Sequence, residues 1–191
     1  MATNKSSPMV SEREAATDVD VSDDSKKGGK KSAAARRRAV RQRLWPEVTD
    51  GELWLRTRSV GFTTIPRTLP LINKILDRSA GKGMPVASTY LALWCRVFDE
   101  AFVEIRSQKD LALESGFGGP RAEATWKARM KILAELGVIS AKAGVRGEYQ
   151  YVLMYNPLQV ISRLYKEKMD DFDYLSLMDR MGQVGAEDIP T

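Results

Sequence analysis

The chain has 191 residues, no histidine, one cysteine and a formal charge of +5, which bounds it to one domain plus tails and removes the commonest general base and metal ligand. Cys95 alone permits no intramolecular disulfide, and no apolar run approaches the roughly 18 uncharged residues of a membrane-spanning helix. Catalysis, zinc clusters and membrane insertion are therefore set aside: the expectation is a non-enzymatic chain without cofactor or metal, in the reducing cytoplasm.

Residues 1–25 carry a net −4, residues 167–191 a net −5, and the stretch between them +14. A basic body between acidic ends fits a polyanion better than a membrane or a small metabolite. The first 40 residues contain no aromatic, so residues 1–43 read as a disordered tail, acidic first and basic from Lys26 to Arg43. That basic run holds nine Lys or Arg and no acid, among them Arg36, Arg37 and Arg38. Its Ala- and Arg-rich half, Ser32 to Leu44, is suited to turn helical once an anion neutralises its self-repulsion.

Order is expected to begin at Leu44-Trp45-Pro46. The segment GELWLRTRSVGFTTIPR offers two short strand-like runs bounded by Gly51, Gly61 and Pro66. From Pro66 to Arg78, Leu69, Ile72, Ile75 and Leu76 recur at helical spacing before Gly81 and Gly83. Between Val86 and Ile105 two adjacent apolar stripes predict a buried helix, Val86, Tyr90, Leu93, Val97 and Ala101 in one and Leu91, Trp94, Phe98, Phe102 and Ile105 in the other. Cys95 falls in this core pattern.

Residues 108–155 parse into helix, turn, helix and hairpin. Gln108 to Ser115 forms the first helix, closed by Gly116. Gly118, Gly119 and Pro120 make the turn, and Pro120 to Leu136 forms the second helix, its core positions Ala122, Trp126, Met130 and Leu133. At about 100° per residue the opposite face carries Arg121, Ala124, Ala128, Lys131 and Glu135, flanked by Thr125, Lys127 and Arg129. Small residues let the backbone approach a groove, while Arg121 and Lys131 have the length to meet phosphates or base edges. Residues 138–155 then read as strand, glycine turn and strand, with Lys142 and Arg146 near the tip. Pro157 to Lys168 resumes a helical pattern, and residues 169–191 form an acidic, flexible tail whose apolar residues suit a protein partner or a fold-back over the basic face.

With LALESGF, a helix ending ILAELGVI, and KAGVRGEYQYVL, Leu111 to Leu153 resembles the winged helix-turn-helix superfamily of bacterial regulators. The following NPLQVI adds a similarity to the DNA-binding modules of plasmid and phage replication initiators and plasmid-maintenance proteins. The resemblance implies a mostly α fold with a small β wing, a winged helix-turn-helix core spanning 44–168 with extra N-terminal helices, and a role in transcription regulation, DNA replication or plasmid maintenance at the nucleoid. Double-stranded DNA is the implied partner, contacted by Arg121, Thr125, Lys127, Lys131, Lys142 and Arg146, with Arg36, Arg37 and Arg38 adding charge. Most members are about one helical turn shorter between the two glycines equivalent to Gly116 and Gly137. The extra residues either lengthen the recognition helix at its start, sending Arg121 into the groove, or enlarge the loop, leaving Thr125, Lys127 and Lys131 first to reach DNA. A homodimer would serve two half-sites, although no heptad signals one. A winged helix acting only as a protein-interaction scaffold stays open, and single-strand RNA binding is less favoured because no platform of sheet aromatics is laid out.

Overall fold

The computed structural model describes residues 21–186, with side chains from residue 33 onward, and divides the chain into two compact units, Met1–Val60 and Gly61–Thr191. The acidic stretch before Val21, part of the expected disordered tail, and the last five residues, part of the expected flexible tail, lie outside the described residues.

In the first unit, helix α1 (Val21–Leu44) covers the whole basic run. The structure thus has helix where a disordered tail through residue 43 is expected, and the Ala, Arg and Lys content of the segment accounts for it. Residues 45–60 are turns, with Trp45 N–H donating to Arg41 O at 2.9 Å and Ser59 N–H to Leu55 O at 2.8 Å. The two strand-like runs do not form strands: their backbone groups close local turns instead of pairing across a ladder.

The second unit is mixed α and β. Helices α2 (Leu69–Ala80) and α3 (Ala87–Trp94) lead to β1 (Phe102–Glu104); α4 (Gln108–Glu114) and α5 (Ala122–Glu135) follow; β2 (Ile139–Gly144) and β3 (Gly147–Met154) form a hairpin; α6 (Pro157–Leu164) and α7 (Phe172–Val184) close the chain. The three strands make one antiparallel sheet in the order β1-β3-β2.

The expected helix over 86–105 is only eight residues long. Chain direction reverses through Asp99 and Glu100, and Ala101 takes a left-handed φ of 53° before the backbone pairs, Met154 N–H donating to Ala101 O at 2.8 Å and Ile105 N–H to Gln150 O at 2.7 Å. Over 102–105 exposure alternates out, in, out, in, so Val103 and Ile105 reach the core by strand periodicity rather than helical. The second stripe dissolves accordingly: Phe98 is exposed, Phe102 faces outward, and Cys95, expected in the core, is exposed.

The core gathers one face of every helix in this unit. Leu69, Ile72, Ile75 and Leu76 of α2 are all buried, as the spacing predicts. Trp126 is fully buried on α5, its ring edge-on to Tyr149 of β3 at 5.6 Å. Side chains of this size contribute roughly 1.5–3 kcal/mol each when fully buried. The acidic C-terminal segment is part of this packing rather than a flexible tail. Asp171 caps α7 by accepting from Asp173 and Tyr174 N–H groups, Tyr174 stacks on Tyr165 at 5.5 Å, and Leu177 and Met181 are buried. Asp173 binds Lys74 Nζ at 2.7 Å and Arg78 Nη1 at 3.0 Å, and Arg78 also meets Asp171 at 2.9 Å. The Lys74 hydrogen bond holds the Asp173 carboxyl below its usual range, with Arg78 adding to it against the opposing effect of desolvation.

Candidate nucleic-acid interface

The turn between α4 and α5 is longer than the sequence pattern suggests. Ser115 Oγ donates to Leu111 O at 2.7 Å as α4 ends, and Gly116 and Gly119 take φ of 86° and 77°, angles open to glycine without a Cβ penalty. Pro120 stays in the turn, so α5 starts two residues later than expected, with Arg121 at its N-cap and no side-chain cap bond. Residues 115–121 thus lie between the two helices. Arg121 is exposed and makes no ion pair among the described residues.

Along α5 the outward positions are those computed from helical geometry: Ala124, Lys131 and Glu135 are exposed, and Ala128, Thr125 and Lys127 half-buried. Arg129 departs from the expected basic flank. It is buried, with Nη1 donating to Met84 Sδ at 2.9 Å and Nη2 to Gly83 O at 3.4 Å, which ties α5 to the loop after α2. The remaining cations each have a carboxylate one turn away, Lys127 Nζ at 2.7 Å from Glu123 and Lys131 Nζ at 3.9 Å from Glu135. Exposed pairs at this spacing hold by about 0.3–0.5 kcal/mol, weak enough for an arriving phosphate to displace.

α5 closes at Gly137 (φ 78°) with Val138 N–H donating to Leu133 O at 3.2 Å, and the chain passes directly into the hairpin. Lys142 lies on β2 opposite Tyr151, exposed. Arg146 sits in the turn, exposed, its guanidinium 3.6 Å from Glu104. The tip is fixed by two buried glutamines. Gln108 Nε2 donates to Arg146 O at 3.3 Å, Arg146 N–H donates to Gln150 Oε1 at 2.9 Å, and Gln150 Nε2 donates to Tyr151 Oη at 3.0 Å. A Cβ at Gly144 would run into the Gln150 side chain, and one at Gly147 into that of Gln108, so glycine at both places lets the glutamines reach the turn. Gln108 belongs to α4, and this bond couples the first helix of the pair to the hairpin tip. Sequence reasoning missed both glutamines; the signal for Gln108 is a polar residue at the core spacing of Leu111, Ala112 and Ser115.

The structure thus brings Arg121, Thr125, Lys127 and Lys131 together on α5 and places Lys142 and Arg146 on the adjoining hairpin. Arg36, Arg37 and Arg38 belong to the other unit, all exposed on α1, and at about 100° per residue they point to three sides of that helix. Arg41 of the same helix is engaged by Asp50 at 2.5 Å. Charge is divided unevenly between the units: residues 61–191 hold 17 Lys or Arg against 16 Asp or Glu, while Lys26 to Arg43 is wholly basic.

Among the described residues no group of His, Cys, Asp and Glu is arranged to hold a metal ion, and no helix is long and apolar enough to cross a membrane. Compared with protein-family models, with curated proteins and with solved structures, the chain matches none, so the reading of this face rests on its own residues and their placement.

Proposed function

We propose that α4, α5 and the β2–β3 hairpin form a winged helix-turn-helix that binds double-stranded DNA without catalysing a reaction, α5 serving as recognition helix and the hairpin as wing. The role is that of a transcriptional regulator or a replication or maintenance factor of a plasmid or mobile element, acting in the cytoplasm at the nucleoid. The observation that carries this reading is the outward face of α5: Arg121 unpaired at its start, Ala124 and Ala128 small enough for close approach, and Lys131 held only by a weak surface pair. Wing residues Lys142, on β2, and Arg146, whose backbone the two glutamines hold, are suited to the backbone or the neighbouring minor groove. The basic helix α1 adds salt-sensitive, sequence-independent affinity through phosphate neutralisation.

The test is a titration of a random-sequence duplex pool with full-length protein at two salt concentrations, with the bound fraction sequenced. Salt-sensitive binding with an enriched motif supports the reading; binding without enrichment sinks the recognition role of α5. A second reading, a winged-helix protein-interaction scaffold, draws on the carboxylates that pair with Lys127 and Lys131 and on Leu113 of α4, which is 69% exposed. Absence of DNA binding at low salt would favour it.

A further inference from the structure

A cleft of about 600 Å³ opens in the second unit where the start of α2, the turn after α3, the β3–α6 junction and the end of α7 meet. Its volume falls within the roughly 300–1,000 Å³ of small-molecule sites. The lining includes Trp94, Phe98, Tyr155 and Leu158, and its two charged residues are Arg67 and Asp99.

Two features of this lining lack a partner, an exposed ring and a pair of opposite charges. Phe98 is 78% exposed and stacks on no other ring among the described residues, while its carbonyl closes a turn by accepting from Ala101 N–H at 3.1 Å. Arg67 and Asp99 are exposed and neither side chain makes an ion pair or hydrogen bond among the described residues. Trp94 adds its ring to the lining, packed edge-on against Tyr90 at 6.1 Å. The neighbouring Asn156, by contrast, is occupied, its Oδ1 accepting from Leu158 N–H at 3.0 Å. An aromatic wall bearing one free cation and one free anion is complementary to a molecule with a ring and both opposite charges. A purely apolar ligand would satisfy neither charge, and a polyanion would meet Asp99 and leave the wall unfilled.

We propose that this cleft binds a small aromatic zwitterion of the amino-acid class, its ring against Phe98 and Tyr155, its carboxylate on Arg67 and its ammonium on Asp99. The site is separate from the DNA-binding reading and does not depend on it.

The probe is L-phenylalanine, titrated into isotope-labelled full-length protein and followed by NMR, with 2-phenylethylamine, which lacks the carboxylate, and 3-phenylpropionate, which lacks the ammonium, as comparators. For a ligand of this size the expected dissociation constant is on the order of 0.1–1 mM, with shifts centred on the Trp94 indole N–H. Each comparator binds about tenfold more weakly. In R67Q phenylalanine loses its advantage over phenylethylamine and keeps that over phenylpropionate; in D99N the pattern reverses. F98D, a change at an exposed position, abolishes the shifts while leaving the rest of the spectrum in place. Absence of Trp94 shifts up to roughly 10 mM phenylalanine overturns the proposal, as does equal binding of all three compounds with no response to R67Q or D99N.

Discussion

Helices α1 and α5 are both rich in cations, yet they present them in opposite ways. On α1 the charge is dense and points to several sides, with Arg36, Arg37 and Arg38 exposed in succession and no acid from Lys26 to Arg43. On α5 the solvent-facing charge lies on one side, diluted by Glu123 and Glu135, and is held in register by a buried opposite face of Trp126, Met130 and Leu133, where Arg129 is turned inward. Charge without a fixed face attracts any polyanion, while a fixed face with little net charge can discriminate between sequences only if something else brings DNA near. Under the proposed reading the two helices would divide affinity from recognition, and the folding of α5 against its core would be the condition for the second.

The comparison breaks most severely at that core. Trp126→Ala empties a fully buried site beside Tyr149 and is expected to cost about 3–5 kcal/mol, seen as a large fall in melting temperature and the loss of any sequence preference. Trp126→Phe, which discards an indole N–H without an acceptor, costs less; equal stability of W126A and wild type would contradict the packing described.

Next in size is the charge on α1. Replacing Arg36, Arg37 and Arg38 together by Gln makes the slope of log affinity against log salt less negative by up to about 2.7, at roughly 0.9 per phosphate contact, while the enriched motif persists. A lost motif with an unchanged slope would reverse the assignment of the two helices.

A smaller effect is expected where α7 is tied down. Asp173→Asn removes the charge that Lys74 and Arg78 hold and should cost about 1–2 kcal/mol by thermal unfolding at neutral pH. Because the folded carboxyl titrates below its unfolded value of about 3.9, its stabilisation is present above that pH and disappears as pH falls through the lower folded value. D173N should therefore flatten part of the acid limb of the stability curve, and identical limbs would argue that the pairing contributes nothing.

The smallest effect concerns Lys131. Its exposed pair with Glu135 is worth about 0.3–0.5 kcal/mol, so Lys131→Ala should leave the melting temperature almost unchanged while altering DNA affinity or site preference. A large stability loss would mean that this side chain serves the fold rather than a ligand.

These regions were not equally legible in the sequence. The α2 stripe, the inward face of α5 and the β2–β3 hairpin were readable because periodicity and glycine stops are local signals. The strand β1 was not: three residues are too few to show a period, and the pairing that defines it comes from β3, about 50 positions away. Phe98 and Phe102 sit at helical spacing from Trp94, and that coincidence concealed the turn at Ala101. Helix α7 had a readable pattern, Asp171 as cap and Tyr174, Leu177 and Met181 spaced by three and four, but the carboxylates among them suggested a solvated tail; Lys74 and Arg78 supply the counter-charges from α2. On α5 the outward positions followed from helical geometry alone. The burial of Arg129 did not, since Gly83 and Met84 are brought to it by tertiary packing.

The division of labour is tested most directly by measuring full-length R36Q/R37Q/R38Q beside full-length R121A/K131A on the same random duplex pool, over a range of salt, with the bound DNA sequenced. The account predicts that the first variant binds more weakly with a shallower salt dependence and the same motif. The second should keep most of the salt dependence and lose or change the motif. If both variants lose affinity alike and neither alters the sequences selected, α5 does not read DNA and the proposed recognition helix is wrong.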